Sequence, residues 1–559
     1  MRLKHIIAIV IAVVALNLVL LPVSCRFDLT SDHRYTLSPT TIDMLHHLSD
    51  HKHDRQPLVA TLLLTGELNS GFLRLEQATR DLLSDMSRQA DIRLETIDPL
   101  QLSDKEMDKL NRQLLAYGFR PTQIYETSRR GQNKQTLVYP FLLLSSGQQS
   151  VMVQLLQNNP VLSGADNLNN SIAALEYQVA MGINRLYTTQ REKICFLEGH
   201  GELAEHETYD LQQTLARYFD VYFGALNNEV HCLDSFKCVI VASPEQPFTE
   251  ADKYILDQYV MRGGKILWAL NGVRFSEDIL STAGYTPVIP LDLNLQDMLF
   301  SYGVRINPTL LTDLQCLSIE VDISPDPTQP HIVPMPWAYS PLCLTSAESS
   351  ISKDVMQVNT TFCSTIDLVG NSEQLTQKVL LASSNASHVI STPAEVDLSE
   401  VSFDENYYHD AFVPVAAVVE GEFSSLFRFR SQPKEISSNE QPLSEGYSKQ
   451  VFLACGSALA NEWQQGQPLP LGYDRLTHRQ WGNRDFLLNA VLYLTDDNGL
   501  IQLRQKSITL RMLNNKAVNN YLRAAQLATI LVPLILLALL GICIACLRQL
   551  RQRKITNHK

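Results

Sequence analysis

The chain has 559 residues, 45% hydrophobic and 19% charged, with a formal net charge of -13. Such a length and apolar content suit two to four folding units with cores of their own and exclude a solvated, coreless polymer. With the seven basic residues of the two tails set aside, 39 basic residues stand against 59 acidic ones. The resulting charge of -20 over residues 26–523 repels phosphate backbones and excludes nucleic acid as the partner.

In chain order, the first element is the uncharged run Ile6 to Val23, which at about 1.5 Å rise per residue reaches roughly 27 Å, close to the thickness of a hydrocarbon core. Residues 1–25 therefore read as an N-terminal transmembrane anchor. The plainer alternative is a cleaved signal peptide with Arg2 and Lys4 as its basic region.

Residues 26–188 read as a first α/β domain. Ser38 before Pro39, followed by Ile42, Leu45 and Leu48, predicts an N-capped helix with proline at its first position. A strand at Leu58–Leu64, a helix over Leu73–Gln89 and a strand at Ile92–Ile97 describe a β-α-β unit. A strand near Gln123–Glu126 and a hairpin over Leu137–Leu155, turning at Ser145-Ser146-Gly147, complete a small layer that resembles a thioredoxin-like fold. No Cys-x-x-Cys stands at the first turn, which reads Gly66-Glu67-Leu68-Asn69-Ser70-Gly71 and removes redox chemistry from that place. A helix opening at Asn170-Ser171 carries Ile172, Leu175, Val179, Ile183 and Leu186 on one face.

Residues 189–500 read as a second α/β domain, opened by the strand Ile194–Leu197 and the loop Glu198-Gly199-His200-Gly201-Glu202. A strand ending at Ala242, a helix opened by Thr249, a stop at Gly263-Gly264 and a strand over Ile266–Leu270 describe a parallel crossover. From Pro287 to Val451 the signals are shorter and more β-like, with a proline-rich turn at Pro325–Pro330, and read as an elaboration of the same domain. Arg484–Leu494 reads as a helix and residues 501–527 as a stalk. Ala528–Leu547 is a second uncharged run, read as a C-terminal transmembrane helix before a basic tail over residues 548–559. Both tails are basic and free of acidic residues, so the positive-inside rule places them in the cytoplasm. The expected location is a bacterial inner membrane with the bulk of the chain in the periplasm.

The polar loop Glu198, His200 and Glu202, with Glu205, His206 and Glu207 beyond it, is the richest candidate for chemistry, because it follows a buried strand where α/β sites lie. It lacks a zinc pattern, since Asp210 stands where His-Glu-x-x-His needs its second histidine. His46, His47, His51 and His53 form a denser tract, read as a solvated helix end. Ala454-Cys455-Gly456-Ser457 after an apolar strand resembles a nucleophile corner but lacks flanking glycines and a marked His/Asp pair. No phosphate-cradling G-x-x-x-x-G-K-[ST] loop is present. Cys343 with Cys363, or Cys232 with Cys238, would suit pairing in an oxidising compartment, and spacing does not choose between them. No catalytic, metal or cofactor assignment follows, and the chain reads as not an enzyme.

Several stretches, taken in order, carry a resemblance. They are Arg26-Phe27-Asp28-Leu29-Thr30 with Tyr35-Thr36-Leu37-Ser38; Ser70-Gly71-Phe72; and Asn169-Asn170-Ser171-Ile172 with Leu175-Glu176-Tyr177. Further on stand Leu197-Glu198-Gly199-His200-Gly201-Glu202, Pro336-Trp337-Ala338-Tyr339-Ser340-Pro341-Leu342 and Val419-Glu420-Gly421. The last are Pro468 through Gly472-Tyr473-Asp474, Gly482-Asn483-Arg484-Asp485 through Asn489, and Leu500 to Arg511. This chain resembles the GldG family, the auxiliary membrane subunit of the gliding-motility ABC-type transporter of Bacteroidota. The resemblance implies an accessory, coupling subunit beside a separate ABC permease and a separate ATPase, with periplasmic proteins as further partners. It also implies a second domain similar to class I glutamine amidotransferases without their catalytic residues. At Cys455-Gly456-Ser457 the chain departs from the acidic Asp-Gly-Asp pattern of its relatives. The rival expectations are a membrane-tethered solute receptor and a hydrolase built on the amidotransferase-like domain.

Overall fold

The computed structural model describes residues 36–505 apart from 51–56, 67, 117–118, 128–132, 158–161, 189, 323, 325–330, 371–373, 399–406 and 438–439. It also describes residues 521, 526–542 and 544–545. The chain divides into two compact units, Met1–Ser507 and Ile508–Lys559. The first is a mixed α/β body whose two largest sheets have four and ten strands.

In the smaller sheet, Leu58–Leu62 runs parallel to Ile92–Thr96 and antiparallel to Phe141–Ser146, which turns through Gly147 into Gln149–Gln154. Helix Ser70–Ser87 makes the crossover; the Asn69 side chain caps it by accepting from Gly71 N and Phe72 N. Its buried residues Phe72, Leu75, Thr79, Leu83 and Met86 recur every three or four positions, so one stripe faces the sheet. The strand expected near Gln123 spans Thr122–Thr127 and pairs with Asn133–Val138 as a separate two-stranded ribbon instead of joining this sheet.

The long helix Gly164–Tyr187 begins six residues before the expected Asn170, because the Ser163 hydroxyl accepts from Asp166 N and sets the cap there. Leu175, Val179, Ile183 and Leu186 belong to the core of the four-stranded sheet. Tyr177 and Ala180, on another flank, belong to a core of the ten-stranded sheet. Glu176, buried between them, accepts from Ser38 N at 2.7 Å and from the Thr41 hydroxyl at 2.8 Å, fastening the start of helix Pro39–Asp50.

In the larger sheet five strands are parallel, in the order Asp220–Ala225, Lys193–Glu198, Cys238–Ala242, Lys265–Ala269 and Glu445–Leu453. Every residue of Cys238–Ala242 is buried, as expected of a parallel strand covered on both faces. Alternate residues serve opposite cores: Ile240, Leu267 and Leu453 on one side, Val241, Trp268 and Phe452 on the other. Helix Asn483–Thr495 covers the first side and helix Glu250–Met261 the second. The latter starts at the expected Thr249 with a capping box to Asp252.

Beyond Glu445–Leu453 the same sheet continues antiparallel through Pro414–Ser424, Leu375–Ala382, Ile332–Thr345 and Cys316–Asp322. The β-rich stretch after Pro287 thus supplies the far wing of the sheet that the parallel strands begin.

In the second unit, residues 526–542 and 544–545 are helical. Leu527, Ile530, Leu534, Leu537, Leu540 and Ile544 are all exposed there. Among the described residues no helix is long and apolar enough to cross a membrane. The expected first span at Ile6–Val23 lies outside the described residues, as do Phe27, Asp28, His51, His53, the turn Pro325–Pro330 and most of the expected stalk.

Candidate functional site

The carboxyl ends of the parallel strands form one edge, where ligands bind in open α/β sheets. The loop Glu198–Glu202 leaves strand Lys193–Glu198 there, with Gly199 at φ 119° and Gly201 at φ 73°, conformations that a side chain would strain. Its turn is closed by the His200 carbonyl, which accepts from Glu245 N at 2.9 Å and Gln246 N at 2.8 Å.

The His200 ring is held on three sides. Nδ1 lies 3.0 Å from Glu202 Oε1, Nε2 lies 3.4 Å from Asp252 Oδ2, and the ring stacks on Phe248 with centroids 3.7 Å apart. Burial pushes its pKa down, but hydrogen bonds to Asp252 and Glu202 and their charges outweigh this and lift it to about 9. With both nitrogens engaged by carboxylates the imidazolium is a clasp between the loop and the capping box of helix Glu250–Met261. Glu198 is exposed at the strand end, and Asp210 is engaged by Arg484.

Along the same edge the loops bind each other. Asn271 donates to the Ser243 hydroxyl at 3.0 Å and accepts from Gly456 N at 2.7 Å; Ser364 accepts from Gly272 N at 3.1 Å and donates its own N–H to the Ala454 carbonyl at 2.8 Å. A Cβ on Gly456 would lie 2.1 Å from the Ser243 hydroxyl oxygen, so this corner closes only around a glycine. Cys455 beside it is fully buried, and burial pushes its thiol up to about 12, far from the thiolate that attacks substrates. Cys343 and Cys363 are free thiols, as are Cys232 and Cys238. Burial, then hydrogen bonding to Cys343, raises the Cys363 thiol well above its usual range.

Of the other singled-out residues, Trp337, Asp474, Asn483 and Asn489 are buried. Asn483 accepts from Asn359 N at 2.9 Å and donates to the carbonyls of Asn359 and Ala458. Gly472, at φ 76°, packs against the Asn483 side chain. Asn489 donates to the Ile351 carbonyl at 3.1 Å and accepts from Arg504 at 2.8 Å. Asp474 accepts from Leu476 N at 3.0 Å, and Trp337 is buried against Tyr339. These positions frame the fold.

A cavity of about 630 Å³ lies between helix Gly164–Tyr187 and helix Asn483–Thr495. Its lining includes Arg185, Trp481, Arg484, Asp485 and Arg504. Trp481 Nε1 is buried without a hydrogen-bond partner among the described residues. Burial raises the Asp485 carboxyl, against the pull of Arg504 and Arg484. Sequence reasoning did not find this lining, because its parts come from segments some 300 residues apart.

A family model described as "ABC-type uncharacterized transport system" matches residues 191–490, more than half of the chain. The chain belongs to that family. It is thus an auxiliary component of an ABC-type transport system. A second model, described as a domain of unknown function (DUF7088), matches residues 31–145. No curated protein matches the chain. Among solved structures, the mmIFT52 N-terminal domain matches at 15% identity and a TM-score of 0.33, over 55% of this chain and 99% of that one. The exo-beta-1,4-mannosidase Op5Man5 from Opitutaceae bacterium strain TAV5 matches at 8% identity and a TM-score of 0.22, over 78% of this chain and 50% of that one. Similarities of this size fix neither fold nor function. At the described sheet edge, His200 and Glu202 bond to each other, and Asn271 bonds to Ser243 and to the backbone of Gly456.

Proposed function

We propose that this auxiliary component is a non-catalytic coupling subunit of the GldG kind. It is held in a bacterial inner membrane by its two terminal apolar segments, both tails are cytoplasmic, and the body contacts periplasmic partners. It works beside a separate permease and a separate ATPase, since its sequence has no phosphate loop to bind ATP. The observation that carries this reading is family membership over residues 191–490 combined with a sheet edge at which His200 is bound by Glu202 and Asn271 by the backbone of Gly456. On this reading the four-stranded sheet belongs to a thioredoxin-like domain and the parallel strands to an amidotransferase-like one.

Affinity purification from native membranes tests it: an ABC permease and an ATPase co-purify with the chain. Recovery without either rejects the coupling role, and protease accessibility placing the body in the cytosol rejects the topology. A second reading, a tethered solute receptor, draws on the cavity lined by Trp481, whose Nε1 has no hydrogen-bond partner among the described residues. A periplasmic solute that raises the melting temperature of the wild type but not of Trp481→Phe would favour it, because a ligand of the native state stabilises by mass action.

A further inference from the structure

Strand Ser387–Ser391 and the segment Tyr407–Asp410 lie side by side. Ser387 N donates to the Asp410 carbonyl at 3.0 Å, and Asp410 N donates back to the Ser387 carbonyl at 2.9 Å. On its other side the strand pairs with Thr309–Asp313, with His388 opposite Thr312. Backbone pairing on both sides therefore fixes the place of His388. The register brings three potential ligands together: His388 Nδ1 lies 3.7 Å from Asp410 Oδ2, and His409 Nε2 lies 4.0 Å from Asp410 Oδ1. One ligand atom from each residue lies within 4.8 Å of the other two.

We propose that His388, His409 and Asp410 form a binding site for a divalent transition-metal ion of the zinc class, with two imidazole nitrogens and one carboxylate as protein ligands.

The side chains are oriented for this role by groups outside the cluster. His409 Nδ1 lies 3.0 Å from the Tyr407 carbonyl oxygen, which can only accept, so the ring proton belongs on Nδ1 and the lone pair on Nε2, the atom facing Asp410. A backbone carbonyl that fixes the tautomer in this way is a usual support for a metal-bound histidine. Asp410 Oδ2 accepts from Val389 N at 3.0 Å, which aims the carboxylate and leaves it further lone pairs. His388 Nδ1 is buried and has no hydrogen-bond partner among the described residues, a cost that a coordinated ion would remove. The Tyr407 ring, with its centroid 4.0 Å from that of His388, packs on the imidazole.

The donor set selects the ion. Two nitrogens and one carboxylate suit zinc, copper or nickel, whereas calcium and magnesium prefer an all-oxygen shell. Ligand bonds of about 2.0–2.2 Å place the ligand atoms of a tetrahedral site about 3.3–3.5 Å apart, closer than the separations here, which lie within 4.8 Å for one atom from each residue. The His409 side chain, 68% exposed, has room to close that distance, and the same exposure leaves a coordination position to water.

The test uses the full chain without a histidine tag, stripped with a chelator and titrated with Zn²⁺. The wild type is expected to retain about one equivalent after gel filtration and to melt higher with zinc, as an ion bound to the native state requires. His409→Ala and Asp410→Asn are expected to lose both effects while keeping the wild-type circular dichroism; His409 is exposed, so its removal leaves the fold intact. No retained zinc in the wild type, or an equivalent that survives in both variants, overturns the proposal. So does an equivalent that disappears only when His46, His47, His51 and His53 are replaced.

Discussion

Arg484 grips Asp210 with two parallel hydrogen bonds, Nε to Oδ2 at 2.9 Å and Nη2 to Oδ1 at 2.7 Å. The same carboxylate accepts from Leu471 N at 2.9 Å, so one aspartate joins helix Tyr209–Leu215, helix Asn483–Thr495 and the loop before Gly472. Both side chains are largely shielded, at 29% and 20% exposure, which spares the pair most of the screening that weakens surface bridges. A double-mutant cycle of Arg484→Ala and Asp210→Ala, read by urea denaturation, is expected to give a coupling of about 1–2 kcal/mol. Arg484→Lys recovers less than half of it, since lysine lacks the planar fork.

The His200 clasp makes stability depend on pH. Its folded pKa of about 9 is above the unfolded value, so its contribution is complete below about pH 6.5 and disappears as pH rises through about 9. The group is nearly buried, and the shift corresponds to roughly 3 kcal/mol. Unfolding free energies measured at intervals between pH 6 and 10 are expected to show the wild type losing its advantage over His200→Gln across that window. A constant difference between the two proteins would show that the imidazolium is not what holds the loop.

Asp257 is a fully buried carboxylate that collects four donors: the Tyr302 hydroxyl at 2.9 Å, Leu426 N at 2.9 Å, the Ser425 hydroxyl at 2.6 Å and Gln258 Nε2 at 3.2 Å. Burial raises its pKa, with these bonds pulling the other way. Asp257→Ala strands several donors in the core and is expected to cost about 2–4 kcal/mol in chemical denaturation. The far milder Ser425→Ala, which removes one donor, costs about 1 kcal/mol.

At Gly421 the strand Pro414–Ser424 adopts φ 143°, and a Cβ there would lie 2.1 Å from the Gln374 carbonyl oxygen. Backbone cannot yield as a flexible side chain does. Gly421→Ala is expected to lower the urea midpoint by the equivalent of about 2 kcal/mol or more, with the slope of the transition unchanged.

The inner parallel strands of the large sheet were legible because they are continuous apolar runs and their helix carries a cap and a stop: Cys238–Ala242, Thr249 and Gly263-Gly264 lie where the pattern puts them. The half-exposed strand Asp220–Ala225 at the end of the parallel set has no such run and was not found. The antiparallel wing was harder to place, since Cys316–Asp322 and Ile332–Thr345 are joined to the parallel strands by pairings whose partners the local pattern does not name. The ribbon Thr122–Thr127 shows the same limit, as alternation predicts a strand but not its neighbour. At the sheet edge the loop Glu198–Glu202 was legible as a polar turn, whereas its bond to Asp252 depends on a separate helix start. His388 and the pair His409-Asp410 carry no spacing that announces a shared site; only the backbone bridge at Ser387 brings them together.

The Gly164–Tyr187 helix has one flank in each of two hydrophobic interiors. Melting either interior strips that helix of half its covering, so calorimetry should register a single cooperative transition for both sheets instead of two independent ones. A helix shared in this way ties the two layers together, so that loosening one interior is felt by the other.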